Sequence, residues 1–299
     1  MKKLRDKNYQ NLEKSISVAD SQNLFDFFII LATLFSVIIS LFITYGKVDS
    51  SNIAIRVFNY LITPLSCIIS IILLCVRKKD TGILALLKPK KQHPDFIIAT
   101  ILITIGMLFG LSELNYFFVD FLEFLGLKSS QITLPEKTPT NVVLTLIFLA
   151  VFPAFFEEII FRGLITKGFK GTGDAVAILF SGFLFSIYHM SPSQTIYQFI
   201  VGCLYALIVV KGGSYILTIC SHLFNNAFII LNEYYLKFAP VGFSKIALTI
   251  VGLLCLACGL IILLKKPKTE KTQSLKVFFK EIPIGIILCL FTWFAGLFV

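Results

Sequence analysis

The sequence predicts an all-α fold, a polytopic membrane helix bundle of eight to nine transmembrane helices. Three observations carry that expectation. Of the 299 residues, 57% are hydrophobic and 15% charged, with a mean hydropathy of +0.86; a soluble domain is nearer ~45–50% apolar and ~25% charged. Nine apolar runs fall at 24–45, 53–76, 95–112, 141–166, 174–191, 194–210, 213–232, 245–264 and 282–298, against the ~20 residues a helix needs to cross a bilayer. Finally, the positive charge is gathered in short patches beside those runs. Residues 1–14, 77–91 and 265–281 carry +3, +5 and +4, which together exceed the whole chain's +10. Patches of this kind are topology signals, so the excess of Lys and Arg points to membrane orientation and not to a nucleic-acid partner.

In chain order, residues 1–23 read as a cytoplasmic tail. They are polar, and no small-residue cleavage site follows the first apolar run, so they do not form a cleaved signal peptide. Residues 24–139 hold the N-terminal transmembrane helices with an interfacial helix, 140–235 a core richer in polar residues, and 236–299 the C-terminal transmembrane helices. Positive loops at 77–91 and 265–276 place those segments on the same side as the N-terminus. The last run is the weakest span, because Lys280, Glu281 and Pro283 crowd its start. No internal repeat is visible, and no polar stretch is long enough for a soluble domain.

Residues 113–127 interleave Glu113, Asp120 and Glu123 with aromatic and aliphatic residues at roughly helical spacing. That pattern suits an interfacial helix continuing the third span, either a helix end with its acids among headgroups or a lip guiding an amphipathic substrate. Thr138, Pro139 or Thr140 starts the fourth helix. Seven cysteines lie mostly within apolar runs. Cys255 and Cys258 form a C-x-x-C in mid-span with no second pair or adjacent histidine, which reads as packing, with redox or zinc chemistry as the alternative.

The polar residues inside the spans carry the chemistry. Glu157, Glu158 and Arg162 close the run that begins at Val142. A charged residue there costs at least ~2.5–3.5 kcal/mol on insertion scales, so these groups must be paired or used. Glu158 and Arg162 stand four apart on one helical face and can pair; Glu157 is rotated about 100° away from that partner. Pro153 lacks an N–H and is expected to bend the helix just before the acids. Two of the three histidines also lie in apolar surroundings: Phe185 and His189 share one helical face, as do His222 and Asn226. His93 sits in the basic loop and reads as solvated. At ~1.5 Å per residue, Glu157 lies about 20 Å from the turn near Lys170, His189 roughly 25 Å from the same side, and Asn226 about 20 Å from Gly212 and Gly213. One cluster near the bilayer middle is therefore geometrically permitted. A carboxylate buried without a cation has its charged form disfavoured and suits a general base. A histidine can hold the same water, and N–H donors such as His222 and Asn226 suit a developing oxyanion.

The motifs E-E-x-x-x-R (Glu157, Glu158, Arg162), F-x-x-x-H (Phe185, His189) and H-x-x-x-N (His222, Asn226), in that order, resemble the CPBP family. This is the group of CAAX-protease-like and bacteriocin-processing intramembrane endopeptidases, also called Abi or type II CAAX prenyl endopeptidase-like. The resemblance covers about residues 140–235 with every signature residue present. It implies that Glu157 activates water with the help of His189, that His222 and Asn226 form the oxyanion hole, and that Glu158 and Arg162 hold the site together. Family members have been described both as metalloproteases and as metal-independent glutamate proteases. Glu157, His189 and His222 are the zinc ligands of the first version; no H-E-x-x-H is present, and the expectation is the second, with no cofactor. The implied partners are membrane lipid and a membrane-associated or prenylated peptide or protein. A non-catalytic membrane protein is the alternative, either a bacteriocin self-immunity module or a proton-coupled transporter, since buried acids and histidines also build proton relays. A transporter is expected to show inverted repeats, and none is seen. Lys167 and Lys170 place the 167–173 turn inside and the cluster in the outer half of the membrane, whereas the eukaryotic relatives cut prenylated C-termini in the cytoplasm.

Overall fold

The computed structural model of the chain describes residues 16–47, 53–79, 82–127, 134–280 and 282–298. Among these, helix is the only regular structure. Seven helices are long and apolar enough to cross a membrane: α1 (Val18–Gly46), α2 (Ile53–Lys78), α3 (Pro94–Phe124), α4 (Pro139–Lys170), α6 (Pro192–Val210), α7 (Tyr215–Leu236) and α8 (Gly242–Leu264). Two apolar helices are shorter, α5 (Asp174–Tyr188) and α9 (Ile284–Ala295). The apolar runs expected at 174–191 and 282–298 are thus helical but only 15 and 12 residues long. At ~1.5 Å per residue they reach about 22 and 18 Å, short of a ~30 Å hydrocarbon core. Seven of the described helices are long and apolar enough to cross, against the eight or nine expected.

Local sequence explains most of the helix ends. α1 begins at Val18, inside the stretch expected to be a polar tail, because Ser17 and Asp20 cap it reciprocally: Ser17 Oγ accepts from the Asp20 N–H at 3.2 Å, and Asp20 accepts from the Ser17 N–H at 2.8 Å. Residues 1–15 of that tail lie outside the described residues. α4 starts at Pro139 behind the cap Thr138, as expected. α5 ends at Tyr188, where His189 closes the last turn and Met190 takes a left-handed φ of 50°. Pro192 then prevents the helix from continuing.

One end of the bundle gathers the basic residues. Lys78 pairs with Asp20 at 2.6 Å, Lys211 with Asp174 at 2.6 Å and Lys266 with Asp95 at 2.5 Å. The basic loop tucks a short 3-10 helix, Gly82–Leu87, beneath the helices, where the Leu86 carbonyl accepts from Lys167 Nζ and the Leu87 carbonyl from Tyr215 Oη, both at 2.6 Å. At the opposite end Glu113 pairs with Lys245 at 2.7 Å. Outward-facing Phe42, Phe243 and Leu254 are 59%, 85% and 60% exposed, which is the surface a bilayer solvates.

α5 and α6 form a tight hairpin. A Cβ on Gly202 would meet the Gly182 Cα at 2.8 Å, and one on Gly182 would meet Cys203 Sγ at 2.4 Å. Only glycines let these backbones approach so closely, the small-residue contact that packs helices where no hydrophobic driving force exists. The third span continues through a π-helical turn at Gly106–Gly110 into the aromatic segment Ser112–Phe124, so the helix extends past the third span as expected. The cysteines are free thiols; Cys255 is half-buried and Cys258 exposed on α8.

Candidate functional site

Three helices bring the polar residues together, and α4 supplies most of them. Two π-helical turns, Ile147–Val151 and Ile159–Ile165, interrupt it on either side of the acids. Pro153 has no N–H to give the Leu149 carbonyl four residues earlier, and that carbonyl accepts instead from Asn226 Nδ2 on α7 at 3.1 Å. The helix defect is thus the point where α7 is fastened to α4.

The next turn holds the charges. Arg162 Nη1 donates to Glu158 Oε1 at 2.8 Å, with both side chains fully buried. The pairing expected from the i, i+4 spacing is therefore present. Arg162 is further held by the Gly202 carbonyl at 3.4 Å and by the Phe185 ring, whose centroid lies 4.0 Å from the guanidinium carbon. His222 Nδ1 reaches the same Glu158 oxygen at 3.0 Å. A carboxylate oxygen only accepts, so Nδ1 carries the proton and Nε2 is left towards the site.

Glu157 is placed differently. It is 6% exposed, accepts one hydrogen bond from Tyr188 Oη at 3.2 Å, and its second oxygen, Oε2, is buried with no protein partner among the described residues. His222, Glu158 and Arg162 are its electrostatic neighbours. His189 stands at the end of α5, where its Nδ1 donates to the Phe185 carbonyl at 2.8 Å. A carbonyl cannot donate, so His189 Nε2 is free to accept from water. The His189 ring lies 4.8 Å from that of Phe185 and 5.1 Å from that of Tyr188; Phe185 in turn lies 6.3 Å from His222.

Glu157, Glu158, Arg162 and His222 are thus clustered directly, and His189 joins them through the Phe185 and Tyr188 rings. Asn226 enters through the Leu149 carbonyl, with no hydrogen bond to either glutamate. Its own orientation is set by Asn225, whose Nδ2 donates to Asn226 Oδ1 at 3.2 Å while its Oδ1 accepts from Tyr197 Oη at 3.3 Å.

Several of these residues carried no sequence signal. Tyr188 precedes His189 and looks like one more aromatic in an apolar run, yet its hydroxyl spans Glu157 and Thr63 Oγ1 of α2, 3.1 Å away. Cys67 donates to the Phe156 carbonyl at 3.4 Å. Thr63 and Cys67 stand four apart on α2, a face that a search for charged residues passes over.

Among the described residues no three His, Cys, Asp or Glu side chains are grouped so as to hold a metal ion. His189 and His222 have each committed Nδ1 to an acceptor, and Glu157 is hydrogen-bonded to Tyr188. Each histidine thereby keeps its Nε2, and Glu157 keeps its Oε2.

Residues 139–228 match a protein family described as type II CAAX prenyl endopeptidase Rce1-like. The match covers just under a third of the chain and contains all seven motif residues. It agrees with the CPBP resemblance. With its seven apolar helices, the chain is an integral multi-pass membrane protein. No curated protein and no solved structure matches the chain.

Proposed function

We propose, from the premise that residues 139–228 form an Rce1-like domain, that the chain is an intramembrane endopeptidase acting through a glutamate-activated water. The observation that supports this reading most is the unequal treatment of the two adjacent acids. Each acid keeps a buried Oε2 with no protein donor, but Glu158 is paired with Arg162 and bound by His222, while Glu157 has no cation of its own and accepts only from the neutral Tyr188 hydroxyl. In this mechanism Glu157 Oε2 takes a proton from a water that His189 Nε2 also holds. The water then attacks the peptide carbonyl, and the proton passes to the leaving amine.

The negative charge developing on the carbonyl oxygen faces His222 and Asn226. Asn226 Nδ2 spends one hydrogen on Leu149 and keeps the other for the oxyanion. For His222 to donate through Nε2 while Nδ1 serves Glu158, the ring must carry both protons, and the two carboxylates together balance Arg162 and His222. The substrate class is a peptide bond in a membrane-associated or lipidated polypeptide, and no metal takes part in any step.

The test is cleavage by the purified protein in detergent, before and after exhaustive treatment with a chelator. Cleavage of a membrane-tethered peptide, undiminished by metal stripping, is the expected result. Loss on stripping with recovery on adding zinc would overturn the metal-free mechanism.

A further inference from the structure

The packing on the two sides of the site is unequal. From the acids towards the basic end, every residue from 160 to 169 of α4 is buried. Ile160, Phe161, Leu164, Ile165 and Phe169 belong to one continuous apolar core shared with α5 and α6. At about 1.5 Å per residue, Glu157 lies some 20 Å above Lys170, and that distance is filled. Towards the other end burial is limited to one face of α4: Ala150 and Ala154 are buried, while Val151 and Phe155 are 43% and 46% accessible. The apolar packing resumes there only as a small separate cluster of Val142, Ala150, Ile230 and Tyr234. The acids sit at the break between the two cores.

The α5–α6 hairpin explains the break. Its arms, Asp174–Tyr188 and Thr195–Val210, have 15 and 16 residues, or about 22 and 24 Å. They rise from the basic end and turn over near the opposite end of the bundle. The turn is polar: Ser191, Ser193, Gln194 and Thr195 follow His189 within six residues. Polar groups at membrane depth are tolerated only where protein or water meets them. Two segments flank the tip. The interfacial segment Ser112–Phe124 packs against Pro192–Gln194, and Trp293 of α9 donates to Thr195 Oγ1 at 2.7 Å. Among the described residues, 15 Lys and Arg lie at the end away from the hairpin tip and five at the end that bears it, with Arg162 between them. Short basic loops mark the cytoplasmic side.

We infer that the site is entered from the non-cytoplasmic face, over the tip of the α5–α6 hairpin and beside the Ser112–Phe124 helix. Resting on the hydrolytic reading above, this makes the substrate a polypeptide segment presented on the outer side of the membrane, not a prenylated C-terminus in the cytoplasm. Entry is tested with a sulfonated, membrane-impermeant maleimide on Gln194→Cys at the tip and Lys268→Cys in the basic loop. The wild-type chain serves as background for its native thiols, and Ser191→Cys as a second tip position. The tip variants should react in intact cells, and Lys268→Cys only in inverted membrane vesicles. Reaction of the tip only in inverted vesicles, or from neither side while the denatured protein reacts, overturns the inference. So does reaction of Lys268→Cys in intact cells. Labelling needs no activity, and cleavage by Glu157→Gln in detergent, where there are no sides, examines the hydrolytic reading separately.

Discussion

The buried pair of Glu158 and Arg162 should behave as a single unit, and a double-mutant cycle shows whether it does. Both side chains are fully buried and 2.8 Å apart. Removing one partner of such a pair strands the other charge in low dielectric and costs ~3–5 kcal/mol. In Arg162→Met, Glu158 keeps His222, at 3.0 Å, and the Thr218 hydroxyl; in Glu158→Gln, Arg162 keeps the Gly202 carbonyl and the face of Phe185. Each single change therefore falls near the lower figure, about 3 kcal/mol. The double variant carries neither charge and costs no more than one single change, short of the sum by about 3 kcal/mol. Trp293 is the only tryptophan and is fixed to the hairpin tip at Thr195. Its emission, followed as a denaturing detergent is titrated into mixed micelles, reports unfolding of each variant. Single changes that add to within about 0.5 kcal/mol in the double variant would refute the coupling.

Three further outcomes follow from the geometry. Tyr188→Phe removes the one donor on Glu157; at ~1.5–3 kcal/mol for a hydrogen bond to a charged group, kcat should drop about 10- to 100-fold with KM unchanged. An unchanged kcat would remove Tyr188 from the site. Asn226→Ala deletes an oxyanion donor and should lower kcat by ~10²–10³; loss of folding alone, reported by Trp293 emission, would show that its bond to Leu149 is its whole role. Gly202→Val drives a side chain into the Gly182 Cα and should splay the hairpin, lowering the unfolding midpoint and abolishing cleavage together. A variant as stable as the wild type would contradict the close approach of α5 and α6.

The helical architecture was legible because the apolar runs are long and the basic patches sit between them. What composition hides is length measured against a membrane. The run at 174–191 reads as a span until Met190 and Pro192 are seen to end α5 just after His189. The pairing of Glu158 with Arg162 was likewise legible, being local and fixed by helical spacing. The attachment of His222 to Glu158 was not, because it joins residues 64 apart whose meeting depends on how α7 packs against α4. Pro153 was visible as a bend, but its consequence, a carbonyl at Leu149 free to take Asn226, depends on the facing helix. Tyr188 and Thr63 escaped notice because a hydroxyl within an apolar run has no distinctive spacing.

The central claim is that Glu157, and not its neighbour Glu158, activates the attacking water. The most direct measurement compares peptide-bond cleavage by Glu157→Gln and by the wild type in detergent, with Trp293 emission confirming the fold of each. The account predicts that Glu157→Gln folds like the wild type and cleaves nothing. Cleavage by Glu157→Gln at the wild-type rate would contradict it.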